Sequence, residues 1–166
     1  MKRRDNNMSI LFDILLCAVI LILIVAIVRQ KKKYSKLLRL YRGIADKNLD
    51  IFLLFNQWLE MKQKRVNLSD YFYKNEYKAI AIYGMGIVGQ RLKDELSDTG
   101  VEIKYVIDKN ASYVHSELKV YRPEEDLPMV DAIIVTPISY FDSIREQLSQ
   151  KIACPIISAE DLTYEI

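Results

Sequence analysis

Short apolar runs alternate with helical patterns over residues 67–166. The runs predict five strands, at 78–83, 101–107, 118–121, 131–136 and 155–158. The first and fourth runs are almost continuously apolar, which is typical of strands that are covered on both faces of a parallel sheet. Apolar residues spaced three and four apart predict helices at 88–97 and 140–148. Because strands and helices alternate, the pattern predicts an α/β domain with a parallel, doubly wound sheet of order 3-2-1-4-5.

A different pattern occupies the N-terminal end, where the nineteen residues 10–28 carry a single charge, that of Asp13. A helix of this length measures roughly 28 Å, about the thickness of the hydrocarbon core of a bilayer. A cleaved signal peptide is the alternative. However, the run is longer than a usual signal-peptide core, and the basic segment 29–33 follows it in place of small cleavage-site residues. The pattern therefore predicts a short tail at 1–9 and a retained transmembrane helix at 10–28.

Basic residues flank this apolar run on both sides, with more of them after it than before it. Positively charged flanks remain on the cytoplasmic side of a membrane, so the excess over 29–42 predicts that the C-terminal domain is cytoplasmic. The chain would then be a single-pass membrane protein with the lipid bilayer as a partner.

Residues 34–62 have a helical pattern within a basic juxtamembrane segment that covers 29–66. Mostly apolar residues recur at alternating steps of four and three: Leu37, Tyr41, Ile44, Asn48, Ile51, Phe55 and Trp58. As a heptad seam, this spacing predicts a parallel coiled-coil homodimer in which Asn48 fixes the register. Further apolar residues widen the stripe, which favours an amphipathic helix, broken near Gly43, that packs on the following domain or lies along the membrane. Both interpretations stay open from the sequence.

A glycine motif follows the first strand directly. It reads Gly84-Met85-Gly86-Ile87-Val88-Gly89, a complete G-x-G-x-x-G. In such a motif the first glycine permits a tight turn, the second lets the backbone approach a phosphate, and the third lets the helix pack closely on the strand. The N-terminal amides of the following helix and its dipole favour an anion. The motif lies between a strand and a helix, so it predicts a Rossmann-like nucleotide-binding domain.

An acidic residue ends the second strand at the spacing that this fold uses for a ribose. Asp108 lies nineteen residues after Gly89, close to the separation at which a carboxylate meets a ribose hydroxyl. Ligands of doubly wound sheets lie beyond the carboxyl ends of the strands at the topological switch point, which here lies between the first and fourth strands. The predicted ligand is NAD(P) or a nucleotide sugar. The predicted binding residues are Gly84, Met85, Gly86, Ile87, Val88, Gly89, Asp108, Lys109 and Thr136.

The charge is unevenly distributed along the chain, although its net value is only +2. Residues 1–66 carry 14 basic and 5 acidic side chains, and residues 67–166 carry 10 basic and 17 acidic ones. An acidic folded domain argues against nucleic acid as its partner, whereas a basic front half suits an anionic membrane surface. Cys17 and Cys154 lie far apart in apolar runs, which argues against a disulfide.

The sequence contains no catalytic constellation and no cluster with metal-ligand spacing. Tyr105 and Lys109 match the letters of the Tyr-x-x-x-Lys motif of dehydrogenases and epimerases. They lie at the end of a strand, however, where residues four apart do not form the helical pair that this chemistry uses. His115 lies in the loop after the second strand, a position typical of a surface histidine. No catalytic residue and no metal site are predicted, and a binding role is favoured over catalysis.

Four segments carry a resemblance to a known family: YKAIAIYGMGIVGQRL, VIDKNA, VDAIIVTPISYFDSIREQL and CPIISAEDL. Over roughly residues 58–166 they resemble the NAD(P)-binding-like Rossmann modules of bacterial capsule and exopolysaccharide biosynthesis proteins. The plan is also similar to the nucleotide-sugar-binding domain of sugar O-acetyltransferases. By this resemblance the glycine motif would hold a diphosphate and Asp108 would meet a ribose. The chain lacks the left-handed β-helix repeats of the acetyltransferases, so their activity is not implied.

Three functional hypotheses follow from the sequence. The first is a membrane-anchored, cytoplasmic nucleotide-binding module that acts as a scaffold or accessory protein of membrane-bound glycan-assembly proteins in cell-surface polysaccharide biosynthesis. The second is an NAD(P)-dependent oxidoreductase or epimerase subunit that is completed by a partner chain. The third is an interaction module that binds no ligand.

Overall fold

The structure, a computed structural model, describes the backbone of residues 2–164 and the side chains of residues 15, 16 and 18–164. The chain divides into two compact units, Met1–Asp46 and Lys47–Ile166. The first unit consists of the N-terminal part of helix α1 (Lys2–Gln63). The second contains the end of α1, a parallel sheet and four further α-helices.

The prediction of a transmembrane helix at 10–28 is wrong. In the described part of the chain, no helix combines the length and the apolar character needed to cross a membrane. The single-pass topology and the predicted cytoplasmic side therefore lose their basis. The side chains of residues 10–14 and of Cys17 lie outside the described part.

The predicted helix at 34–62 is confirmed as part of α1, and it continues through Gly43 without a break. Among its residues in the second unit, Leu54, Trp58 and Met61 are buried in the core that α1 shares with the sheet, whereas Asn48 is exposed. This burial favours the packing interpretation for residues 47–63. The homodimer stays a prediction.

The sheet of the second unit has five parallel strands: β1 (Ala79–Tyr83), β2 (Glu102–Ile107), β3 (Val120–Tyr121), β4 (Ala132–Val135) and β5 (Ile156–Ser158). Their order in the sheet is β3-β2-β1-β4-β5, as the sequence predicted. β1 lies at the centre. Its last residue, Tyr83, pairs with Ile107 of β2 and with Val135 of β4, so these three strands end side by side.

Helices cover both faces of the sheet, which explains the apolar strand runs. The end of α1 packs on one face together with α2 (Leu68–Lys74), α3 (Ile87–Leu96) and α5 (Asp161–Tyr164). The opposite face packs against α4 (Phe141–Ser149) and the loop before β4. Alternate residues of β1 face opposite ways, Ile80 and Ile82 toward the first core and Ala81 and Tyr83 toward the second.

Candidate functional site

The turn between β1 and α3 depends on a glycine at its first position. Gly84 has a φ angle of 89°, a left-handed conformation that residues with a Cβ adopt only with strain. A Cβ at this position would also lie 2.9 Å from the side chains of Pro137 and Thr136. The turn therefore cannot accommodate another residue without moving the segment after β4.

The other two glycines of the motif differ in what the fold requires of them. A Cβ on Gly89 would lie 2.1 Å from the carbonyl oxygen of Gly84, so the close packing of α3 on the turn requires a glycine. A Cβ on Gly86 would meet no atom within 4 Å, and the φ angle there is −74°, which any residue adopts. The fold thus needs Gly84 and Gly89, but it does not need Gly86.

Gly89→Ala should destabilise the second unit by about 1–3 kcal/mol, because α3 must shift to relieve the overlap with the Gly84 carbonyl. That value is the net effect, because the strain of the overlap should outweigh the roughly 1 kcal/mol of helix propensity that alanine gains over glycine. Denaturant unfolding followed by Trp58 fluorescence measures the difference. Gly86→Ala is the matched control and should change the free energy of unfolding by less than about 1 kcal/mol. Equal stability of Gly89→Ala and wild type would contradict the role of Gly89.

Asp108 reaches across from the end of β2 to the glycine turn. One of its carboxylate oxygens accepts a hydrogen bond from the backbone N–H of Met85 at 3.1 Å, and the other accepts one from Asn110 N–H at 2.8 Å. The acid and the glycine motif therefore meet at the ends of two neighbouring strands. The Met85 amide is already occupied by this carboxylate.

Thr136 lies behind the turn. Its buried hydroxyl donates to the carbonyl oxygen of Gly84 at 2.7 Å and lies 3.1 Å from that of Tyr83. These contacts hold the turn against the end of β4. Thr136 therefore stabilises the glycine turn.

A cavity of about 460 Å³ lies at the carboxyl ends of β1, β2 and β4, within the usual size range of small-molecule pockets. Three of the predicted site residues line it: Gly84, Asp108 and Lys109. The other six do not line it: Met85, Gly86, Ile87, Val88, Gly89 and Thr136. Five lining residues were not predicted: Tyr83, Pro137, Tyr140, Ser143 and Ile144.

The end of α1 holds the segment between β4 and α4 that forms one wall of this cavity. Lys47 donates a hydrogen bond to the hydroxyl of Tyr140, and its ammonium group lies 4.4 Å from the centre of the Tyr140 ring. Ser139 donates a hydrogen bond to Asp50 at 2.7 Å. These contacts position Tyr140, a residue that is half exposed.

Tyr83 lines the same cavity, and its hydroxyl is buried. The residue is 3% exposed, and within the described part of the chain its hydroxyl has no hydrogen-bond partner. Burial raises the pKa of Tyr83, and the negative charges of Asp108 and Glu124 raise it further. The phenol therefore keeps its proton and can donate it in a hydrogen bond.

The side chains considered for catalysis are Tyr105, His115 and Cys154. The hydroxyl of Tyr105 donates to the carbonyl oxygen of Pro128 at 2.7 Å, and burial is the main cause that raises the pKa of Tyr105 to about 12. A catalytic tyrosine needs a lowered pKa. His115 is exposed and lies next to a different cavity with Lys93 and Glu117. Cys154 is a half-buried free thiol whose pKa is raised, chiefly by burial.

Comparison with protein-family models, with curated proteins and with solved structures gave no match to this chain.

Proposed function

We propose that this protein binds a nucleotide, NAD(P) or a nucleotide sugar, at the carboxyl ends of β1, β2 and β4. The observation that carries this proposal is the cavity of about 460 Å³ that both Gly84 and Asp108 line. It joins the glycine motif to the acidic residue at the topological switch point, where doubly wound sheets bind their ligands.

The first turn of α3 supplies the groups that a diphosphate would need. The first intrahelical hydrogen bond of α3 runs from Gln90 N–H to the carbonyl oxygen of Gly86 at 3.0 Å. The amides of residues 87–89 precede it and lack intrahelical partners. Gly86 is exposed beside them, with open space where its side chain would lie. A phosphate can thus approach the backbone there, favoured by the helix dipole.

The carboxylate of Asp108 favours some nucleotides over others. It lines the cavity, and it can accept a hydrogen bond from a ribose hydroxyl in addition to that from Met85. A 2′-phosphate at the same place would be repelled by the carboxylate, although Lys109 lies next to it. We therefore propose NAD or a UDP-sugar as the ligand in preference to NADP.

The proposed biological role rests on the resemblance to the modules of capsule and exopolysaccharide biosynthesis. The described side chains bring together a binding cavity but no nucleophile, base and orienting group in mutual contact, so a binding role suits them better than catalysis. We propose that the chain acts as an accessory protein that binds a nucleotide and works with glycan-assembly proteins.

Asp108→Asn should weaken the binding of NAD or a UDP-sugar by about ten- to a hundred-fold, because it removes a charged hydrogen-bond acceptor. It should also reduce the preference for NAD over NADP. Calorimetric titration of the full chain with NAD, NADP and UDP-glucose measures both effects, and melting curves control for folding. Asp98→Asn, which removes a carboxylate that does not line the cavity, serves as the charge control and should bind as wild type does. Unchanged affinity in Asp108→Asn would remove Asp108 from the site.

A further inference from the structure

We infer that the hydroxyl of Tyr83 recognises the base of the bound nucleotide, by donating a hydrogen bond to an acceptor atom on its edge. This inference rests on the proposed function and deepens it, because it assigns the cavity to one part of the ligand. A buried polar group without a hydrogen-bond partner costs free energy, and nearly all buried polar groups in native proteins are paired.

Three features of Tyr83 support this inference. It is the last residue of the central strand, so it lies directly before the glycine turn. It lines the cavity that Gly84 and Asp108 also line. Its hydroxyl is buried, and the described protein atoms offer it no hydrogen-bond partner. The missing partner of the hydroxyl is assigned to the occupant of this cavity.

The walls of the cavity suit a flat, uncharged group. Pro137, Ile144 and the ring of Tyr140 supply apolar surface, and Tyr140 is held in place by Lys47. The charged groups of the lining are Asp108 and Lys109. Adenine and uracil have apolar faces and carry ring-nitrogen or carbonyl acceptors on their edges, which a phenol hydroxyl can meet.

A phosphate fits this cavity poorly. The Asp108 carboxylate would repel it, whereas Gly86 and Ile87, which flank the N-terminus of α3, lie outside the lining. The diphosphate is therefore assigned to α3 and the base to the cavity. Asp108 lines the cavity and also accepts a hydrogen bond from the glycine turn. It therefore lies where the ribose that joins the base to the diphosphate would be.

Tyr83→Phe tests the inference, because it removes only the hydroxyl. The full chain is titrated calorimetrically with ADP, UDP and inorganic pyrophosphate. The variant should bind ADP or UDP, whichever binds to wild type, about three- to ten-fold more weakly than wild type does. The affinity for pyrophosphate, which carries no base, should stay unchanged.

Tyr105→Phe is the matched control. Tyr105 is a buried tyrosine whose side chain packs in the same core, but its hydroxyl is paired with Pro128 and does not line the cavity. Tyr105→Phe should bind as wild type does and should lower the melting temperature by on the order of a few degrees. Without ligand, Tyr83→Phe should melt at the wild-type temperature or above it, because no hydrogen bond to the protein is lost.

Four results would overturn the inference, and they are distinguishable. If wild type binds neither ADP nor UDP, the inference fails, and the titration with NAD and UDP-glucose tests the proposed function separately. If wild type binds a nucleotide and Tyr83→Phe binds it equally well, only the inference fails. An equal loss of affinity for pyrophosphate would assign the hydroxyl to the phosphates. A fall in melting temperature as large as that of Tyr105→Phe would show that the hydroxyl is already paired within the protein.

Discussion

Replacing Gly86 with valine should reduce nucleotide affinity by more than about a hundred-fold and should leave the fold intact. The two effects separate because the structure places no atom within 4 Å of a Cβ at this position, and φ is −74° there. A branched side chain would instead occupy the space through which a phosphate reaches the amides of α3, and the loss of that approach removes several charge-assisted hydrogen bonds together.

The stability cost of Gly86→Val should be limited to about 1 kcal/mol, since valine is a poorer N-cap residue than glycine. Gln90→Val is the control. It places the same side chain at an exposed position of α3 beyond the turn and should leave the affinity unchanged. Calorimetric titration with NAD and UDP-glucose measures the affinities, and melting curves measure the folding. A Gly86→Val variant that is folded and binds normally would remove the glycine motif from the site.

Leu54→Ala should destabilise the second unit by about 2–5 kcal/mol, as expected for a fully buried leucine. Leu54 is 2% exposed and packs in the core that also contains Phe72 and Leu162. Leu53, the preceding residue, is 51% exposed. Leu53→Ala should therefore change the free energy of unfolding by less than about 0.5 kcal/mol.

Denaturant unfolding of the full chain, followed by the fluorescence of Trp58, measures both variants. Trp58 is the only tryptophan of the chain and lies in the same core. A Leu54→Ala variant as stable as Leu53→Ala would show that the end of α1 contributes nothing to the core of the second unit.

The sheet could be predicted from the sequence because its order follows from local patterns and a general rule of topology. The run at Ala79–Tyr83 is apolar throughout and precedes the glycine motif, which identifies it as the central first strand. Right-handed crossovers restrict the order of the other strands, and the glycine motif favours the order 3-2-1-4-5 among those that remain. The meeting of Asp108 with the glycine turn follows from the same topology, since both come directly after neighbouring strands.

The walls of the cavity could not be predicted because they depend on tertiary contacts. Tyr83 belongs to an apolar strand run, and nothing in its neighbours along the chain reveals that its hydroxyl lacks a partner. Tyr140 is positioned by Lys47, ninety-three residues away in sequence. The position of Pro137 beyond the end of β4 was the available signal, because loops after the strands at the switch point form the site.

For the N-terminal region, the sequence pattern is compatible with more than one structure. Periodicity gave the helix at 34–62 correctly, but it could not distinguish a seam between two chains from a face that packs within one chain. The burial of Leu54, Trp58 and Met61 decides this for the end of α1. At 10–28, apolar composition alone supported a span, which the described part of α1 does not provide.

The binding of a nucleotide at the glycine motif is tested most directly by calorimetric titration of the full wild-type chain with NAD, NADP and UDP-glucose, alongside Gly86→Val. Saturable binding of NAD or UDP-glucose at one site per chain, stronger than that of NADP and lost in Gly86→Val, is the predicted result. A folded wild-type chain that binds none of the three at millimolar concentration, or that binds them equally well with valine at position 86, would contradict it.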